Sequence, residues 1–165
     1  MRNPILPALA LLAALSAAAV ASPCTDQPAW RQFDFWLGTW NVLDGDSLVG
    51  TNRITRDTGD CIVHESYAQG DGYTGRSINF FDPVTKRWRQ TWVDCLGNVS
   101  EFSGEYTDGA MRFEGESHRA GGQRILRTMT LFNNADGTVR QVSRQSKDGG
   151  ATWTDAYDFT YVRVE

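Results

Sequence analysis

The sequence predicts an all-β protein: a closed antiparallel up-and-down barrel of about ten strands, with a short N-terminal helix closing one end. Beyond Cys24, helical periodicity is almost absent, and short alternating runs rich in Val, Ile, Thr, Phe, Tyr and Trp replace it. Turn residues break these runs at roughly the eight-to-twelve-residue spacing of sandwiches and barrels, in "DGDS", "RDTGD", "QGDGY", "FDPVTK", "CLGN", "YTDGAM", "RAGGQ", "NADGT" and "KDGGAT". Asp-Gly and Gly-Gly pairs suit hairpins, because those turns need positive φ. An open meander of this length would leave two unpaired edges. Closure removes them, which favours a barrel over a sandwich.

Residues 1–21 read as a secretory signal peptide of bacterial type. Met1 and Arg2 give a positive start, residues 5–20 are rich in Ala and Leu, and Ala19-Val20-Ala21 is a small-x-small cleavage pattern. A membrane anchor needs roughly 20 strongly apolar residues, whereas this stretch is Ala-rich and interrupted by Ser16. Pro23 stands where a lipoprotein signal wants a small residue, so no lipid is expected on Cys24. Residues 22–165 read as a single periplasmic or extracellular domain with no membrane anchor. The chain carries 16 Lys and Arg against 20 Asp and Glu, net −4, and no basic stripe, which argues against a nucleic-acid partner.

Three cysteines in an exported chain suggest one disulfide and one free thiol. Cys24 lies just ahead of the first structured segment and Cys61 opens an apolar run, so Cys24–Cys61 is the preferred pair, with Cys61–Cys95 the alternative. The preferred bridge would close a loop of about 38 residues, worth at most roughly 4 kcal/mol on the chain-entropy argument.

Between Pro28 and Leu37, apolar Trp30, Phe33, Trp36 and Leu37 recur at spacings of three or four, enough for one short helical turn. Gly38 ends it, and Trp40 and Val42 begin an alternating strand. In "KRWRQTWVDC", Trp88, Gln90, Trp92 and Asp94 point one way and Arg87, Arg89, Thr91 and Val93 the other, so the first set faces the interior. In "CIVHESY", Cys61, Val63, Glu65 and Tyr67 oppose Ile62, His64 and Ser66, and the apolar residues do not decide between the faces. Glu114, Glu116 and His118 share a face opposite Met111, Phe113 and Gly115, which makes the acidic side the solvent side.

Gly38-x-Trp40 on a first strand after a short helix resembles the lipocalin signature. In such barrels a basic residue on the last strand stacks on that tryptophan, and Arg163 in "FTYVRVE" holds the matching position. More closely, "FDFWLGTWNV", "GTNRI", "GRSINFFDP", "RWRQTWVD" and "SKDGGATWTDAYDFTYVR" are similar to a family of bacterial exported domains of unknown function with a lipocalin-like (calycin) barrel. The resemblance implies structural roles for Gly38, Trp40 and Arg163 and is nearly silent on activity. "WLGTW" also resembles nitrobindin-type barrels, which hold haem through a histidine near the C-terminus. Residues 119–165 contain no histidine, so that cofactor is not carried over.

Motifs that could carry chemistry are few. "SKDGGATW", residues 146–153, matches the Asp-box of sialidase propellers, but one copy in a chain this short reads as a structural hairpin in which Asp148 bonds turn amides. His64 and His118 lack metal-ligand spacing, and the cysteines lack Cys-x-x-Cys, so neither a metal nor a cofactor is expected. There is no G-x-S-x-G. Asn98-Val99-Ser100 is formally a glycosylation sequon and is expected to be an unmodified turn.

The expected interior is apolar with a few convergent polar groups, the usual form of a small-molecule site. Its candidate ligand-binding residues are Asn52, Glu65, Asn79, Trp88, Gln90, Trp92, Asp94, Arg127 and Gln141, with Ser77 an alternative to Asn79. A barrel that binds a small, partly apolar molecule is the first reading of function. The alternatives are a barrel isomerase or hydrolase using Asp94 or Glu65 as base, and a non-catalytic structural or interaction protein of the cell envelope. The sequence leaves the oligomeric state open.

Overall fold

The computed structural model describes residues 22–164; residues 1–21, on which the signal-peptide reading falls, and residue 165 lie outside the described residues. A short helix, α1 (Pro28–Arg31), starts on Pro28, whose fixed φ suits a first helical position. A 3-10 turn follows at Asp34–Trp36. Ten strands complete the chain: β1 (Gly38–Asp44), β2 (Ser47–Asp57), β3 (Ile62–Gln69), β4 (Thr74–Asp82), β5 (Arg87–Asp94), β6 (Val99–Thr107), β7 (Ala110–His118), β8 (Arg124–Asn133), β9 (Val139–Ser146) and β10 (Thr154–Arg163). Each pairs antiparallel with the next, and β10 returns to β1, closing the barrel.

The short helical segment expected ahead of Gly38 is present, and it is made of two pieces. The single helical turn over Pro28–Leu37 is two turns, α1 and the 3-10 turn, broken at Gln32 and Phe33. The tighter turn has a physical use. Side chains three apart eclipse in 3-10 geometry, so Phe33 and Trp36 stack with ring centroids 4.9 Å apart.

Both rings enter the base of the barrel. Phe33 packs edge-on against Trp88 at 5.5 Å and lies 6.1 Å from Phe113, and Trp36 meets Tyr161 at 6.3 Å. With Trp40, Val42, Met111, Leu131 and Val139 they form a buried floor. The Trp40 indole N–H donates to the Trp36 carbonyl at 2.9 Å, and the Trp88 indole donates to Gln32 Oε1 at 3.1 Å. Burying large rings is worth roughly 1.5–3 kcal/mol each, so this floor supplies a large share of the apolar driving force.

Two links fasten the plug from outside. Cys24 and Cys61 form a disulfide, with Cα atoms 5.0 Å apart, tying the N-terminal segment to the β2–β3 turn; Cys95 is free and exposed. Arg56 on β2 pairs with Asp34 and donates to the Trp30 carbonyl at 2.9 Å. Arg31 also reaches Asp34, at 2.7 Å. Burial, followed by the neighbouring Arg31 charge, pulls the Arg56 guanidinium below its usual range.

Trp40 and Arg163 face each other in the β1–β10 register, and the guanidinium lies 4.2 Å from the indole centroid. Its Nη1 donates to the Leu37 carbonyl at 2.9 Å. Gly38, with φ of 138°, makes this possible: a Cβ there would collide with Arg163 Nη1. At the opposite end, the "SKDGGATW" segment is the β9–β10 hairpin. Asp148 accepts from the Thr152 amide at 2.9 Å and from the Thr152 hydroxyl at 2.6 Å, and Ser146 donates to it at 2.7 Å. These bonds, led by the Thr152 hydroxyl, hold the Asp148 carboxyl well below the usual carboxylate range. No helix among the described residues is long and apolar enough to cross a membrane.

Arg163→Ala removes both the stacked cation and the bond to Leu37, and is expected to lower stability by about 1–2 kcal/mol. Thermal unfolding checks this, with the interior cavity unaffected. A wild-type melting midpoint would contradict the role given to this pair.

Candidate functional site

The interior above the floor is open. The turns after β3, β5, β7 and β9 surround a mouth that leads into a cavity of about 330 Å³. Strand pairing lays inward residues side by side around the wall. One row runs Ile54, Glu65, Ser77, Trp92, Ser100, Ser117, Ile125. The next runs Val63, Asn79, Gln90, Phe102, Gly115, Arg127, Gln145. Alternation along each strand therefore delivers polar and aromatic groups to one level. It also settles β3, whose buried face holds Val63, Glu65 and Tyr67.

Of the nine expected site residues, Glu65, Gln90, Trp92, Asp94, Arg127 and Gln141 line the cavity. The other three do not, and their reasons differ. Trp88 points inward as expected but is 1% exposed and belongs to the floor, covered by Phe33 and Phe81. Asn52 and Asn79 also point inward but are buried, and they hold cavity-lining residues in place. Ser77, the alternative to Asn79, is also inward and buried. Trp92 owes its position to Gly75, since a Cβ at residue 75 would run into the indole.

A chain of hydrogen bonds converges on Glu65. Gln90 Nε2 donates to Asn79 Oδ1 at 2.7 Å, Asn79 Nδ2 to Ser77 Oγ at 2.9 Å, and Ser77 Oγ to Glu65 Oε2 at 2.6 Å. From the other side Asn52 Nδ2 donates to Glu65 Oε1 at 2.7 Å, and it approaches the Tyr161 hydroxyl at 3.4 Å. Tyr161 in turn donates to Gln141 Oε1 at 2.6 Å. Burial disfavours the charged carboxylate, and the Ser77 and Asn52 bonds offset only part of that cost, so the Glu65 carboxyl is pushed up to about 7. Burial likewise drives the Tyr161 phenol well above its ordinary range, with the Glu65 charge adding to it.

Asp94 has the opposite fate. Burial alone would raise it, but hydrogen bonds from the Asn98 side chain and amide, the Tyr73 hydroxyl and the Leu96 amide together outweigh that and hold it low. Its oxygens accept from Asn98 Nδ2 at 2.8 and 3.1 Å, from the amides of Leu96 and Asn98, and from Tyr73 at 3.0 Å. Asn98 Oδ1 then accepts from the Ala120 amide at 3.1 Å. Asp94 and Asn98 thus brace three turns of the mouth. The Asn98 side chain of the formal sequon is buried and engaged.

Arg127 stands in the wall without an acidic partner among the described residues. Its Nε and Nη2 donate to Ser143 Oγ at 3.3 and 3.0 Å, and its guanidinium lies 5.6 Å from the Tyr157 ring centroid. Tyr67, Tyr73, Phe102, Tyr157, Phe159, Tyr161 and Arg119 also line the cavity. Of these, alternation groups only Tyr67 with Glu65, without deciding the face; extending it along "FEGESH" and to "DAYDFTYVR" offers Ser117 and the β10 rings. Among the described residues no cluster of three or more His, Cys, Asp or Glu side chains is placed to hold a metal ion. No protein family matches the chain in a family comparison, and no curated protein matches it.

Because the folded Glu65 carboxyl titrates higher than the same group in the unfolded chain, its contribution to stability is fully present below about pH 4.5. That contribution is lost as pH rises through about 7. The loss amounts to up to about 3 kcal/mol. Denaturant unfolding measured from pH 5 to 9 should show this decline, and Glu65→Gln should flatten it and be the more stable protein at pH 9. An unchanged slope in the variant would place the titration elsewhere.

Proposed function

We propose that this chain is an exported, calycin-like barrel that binds a small, partly apolar molecule in its interior. The observation that carries this reading is the cavity of about 330 Å³, open at one end, dry at the other, and lined by aromatic faces with a few polar groups between them. A structural barrel with no ligand would fill such a space with side chains, as the floor does, since protein interiors pack to the density of organic crystals. The volume is within the usual range of small-molecule sites. Export is supported by the leader pattern of residues 1–21 and by the Cys24–Cys61 bridge, a bond typical of oxidising compartments. The family resemblance rests on the quoted motifs and is consistent with the barrel.

A second reading has one observation in its favour. Glu65 sits in the cavity wall with its carboxyl pushed up to about 7, the condition of a general base poised near neutral pH. Asp94 does not share it, because its lone pairs are occupied by the turn it braces. An enzyme reading therefore rests on Glu65 alone.

Native mass spectrometry of protein recovered from its own host should show an added small-molecule mass that organic extraction removes. Refilling the stripped barrel should quench fluorescence from Trp92, and Trp92→Ala should weaken binding by about tenfold, a typical loss for one stacked aromatic. A barrel that carries no added mass, and whose tryptophan fluorescence is indifferent to a panel of amphiphiles, would refute the binding reading.

A further inference from the structure

Within the cavity, charge is distributed unevenly. Two carboxylates and two guanidinium groups line it: Glu65, Asp94, Arg119 and Arg127. Asp94 is fully engaged by Asn98, Tyr73 and Leu96. Glu65 is engaged by Ser77 and Asn52. Neither forms an ion pair with Arg127, nor does any other acid among the described residues. Some arginines of the outer face, such as Arg140 with Asp158, have acidic partners.

Arg127 is a permanent cation with five N–H donors in a planar fork. Ser143, a neutral hydroxyl, takes the Nε and Nη2 side, and the Tyr157 hydroxyl, also neutral, lies beside the guanidinium, so neither neighbour supplies a counter-charge. The β6–β7–β8 register places Gly115 between Phe102 and Arg127, so the wall beside the guanidinium has no side chain on one flank and an aromatic ring beyond it. A cation held in a partly apolar cavity without a counter-charge is costly, and an anionic ligand removes that cost.

We propose that the cavity takes an amphiphilic acid: a carboxylate- or sulfonate-type head that pairs with Arg127, carried on a planar apolar body packed against Trp92, Phe102 and Phe159. This rests on the binding reading above and names its ligand class. Arg127 supplies the charge-assisted bonds, the aromatic wall supplies the contact area, and Arg119 at the mouth presents the same sign to an entering anion.

Two fluorescent probes that differ only in their acidic group separate the ideas: anilinonaphthalene sulfonate and its uncharged parent, phenylnaphthylamine. One-to-one binding of each to the stripped wild-type protein is measured by fluorescence and checked by native mass. The sulfonate should bind about tenfold or more tightly than the neutral parent, as one charge-assisted pair in a partly desolvated site requires. Arg127→Met should abolish the preference by weakening the sulfonate far more than the neutral probe, and Arg127→Lys should restore part of it. Equal binding of both probes to the wild type would overturn the anion assignment and leave the binding reading standing; binding of neither would overturn both. A preference that survives Arg127→Met but falls in Arg119→Met would place the anion at the mouth and overturn the role of Arg127. The wild-type comparison decides the ligand class even where a variant fails to fold.

Discussion

Phe33 and Trp36, driven into the base of the barrel from outside the sheet, determine which part of the interior is dry and which is open. A closed sheet of ten strands encloses more volume than its own floor side chains fill at both ends, so something must complete one end or water enters from two sides. Here the two stacked rings do it. The disulfide, the Arg56–Asp34 pair and the Arg163–Trp40 stack all act on the same short segment, holding the plug and its exit into β1 against the barrel. Loss of the plug would expose Trp88, Trp40 and Phe113 together, which makes the floor one cooperative unit rather than a sum of separate contacts.

With one end sealed, the polar residues above the floor lie between apolar packing and solvent. Their arrangement shows which force prevails at each level. Asn79 and Asn52, closest to dry surroundings, are buried and spend their donors on Ser77, Glu65 and the Val63 carbonyl. Gln90 is tied on one side and presents the other to the cavity, whereas Gln141 spends both ends of its amide, on Tyr161 and Met129. Donors converge on Glu65 from both directions, yet burial still opposes its charge. The network therefore fixes the carboxyl's position more effectively than it stabilises its ionised form.

Much of this was legible in the sequence, and the reasons are specific. Asp-Gly and Gly-Gly pairs recur at most of the hairpins because the backbone there needs positive φ, so strand number could be read directly. Trp88 and Trp92 opposite Arg87 and Arg89 set the face of β5, and through it Gln90 and Asp94. The same cue misplaced Trp88, because parity reports inward direction and not depth; only the plug, which lies elsewhere in sequence, decides that Trp88 is floor and Trp92 is wall. The Arg56–Asp34 pair was invisible for the same reason, joining residues that no local period relates. On β3 the pattern was ambiguous because Ile62 and Val63 are similarly apolar, and pairing of β3 with β2 and β4 resolves it.

The two candidate carboxylates show why burial alone does not assign chemistry. Glu65 and Asp94 are both nearly buried, both line the same cavity and both came from alternating runs beside large rings. Asp94 sits at the end of its strand, where the β5–β6 turn brings backbone amides within reach, and turn amides are strong donors with no competing use. Glu65 sits in the middle of its strand, where backbone amides are already committed to the ladder and only side chains can answer it. Position along a strand and depth in the barrel together therefore separate a carboxylate that braces the fold from one whose proton is free to respond to pH. That is why Glu65, and not Asp94, is the acid that a ligand in this cavity would meet in either protonation state.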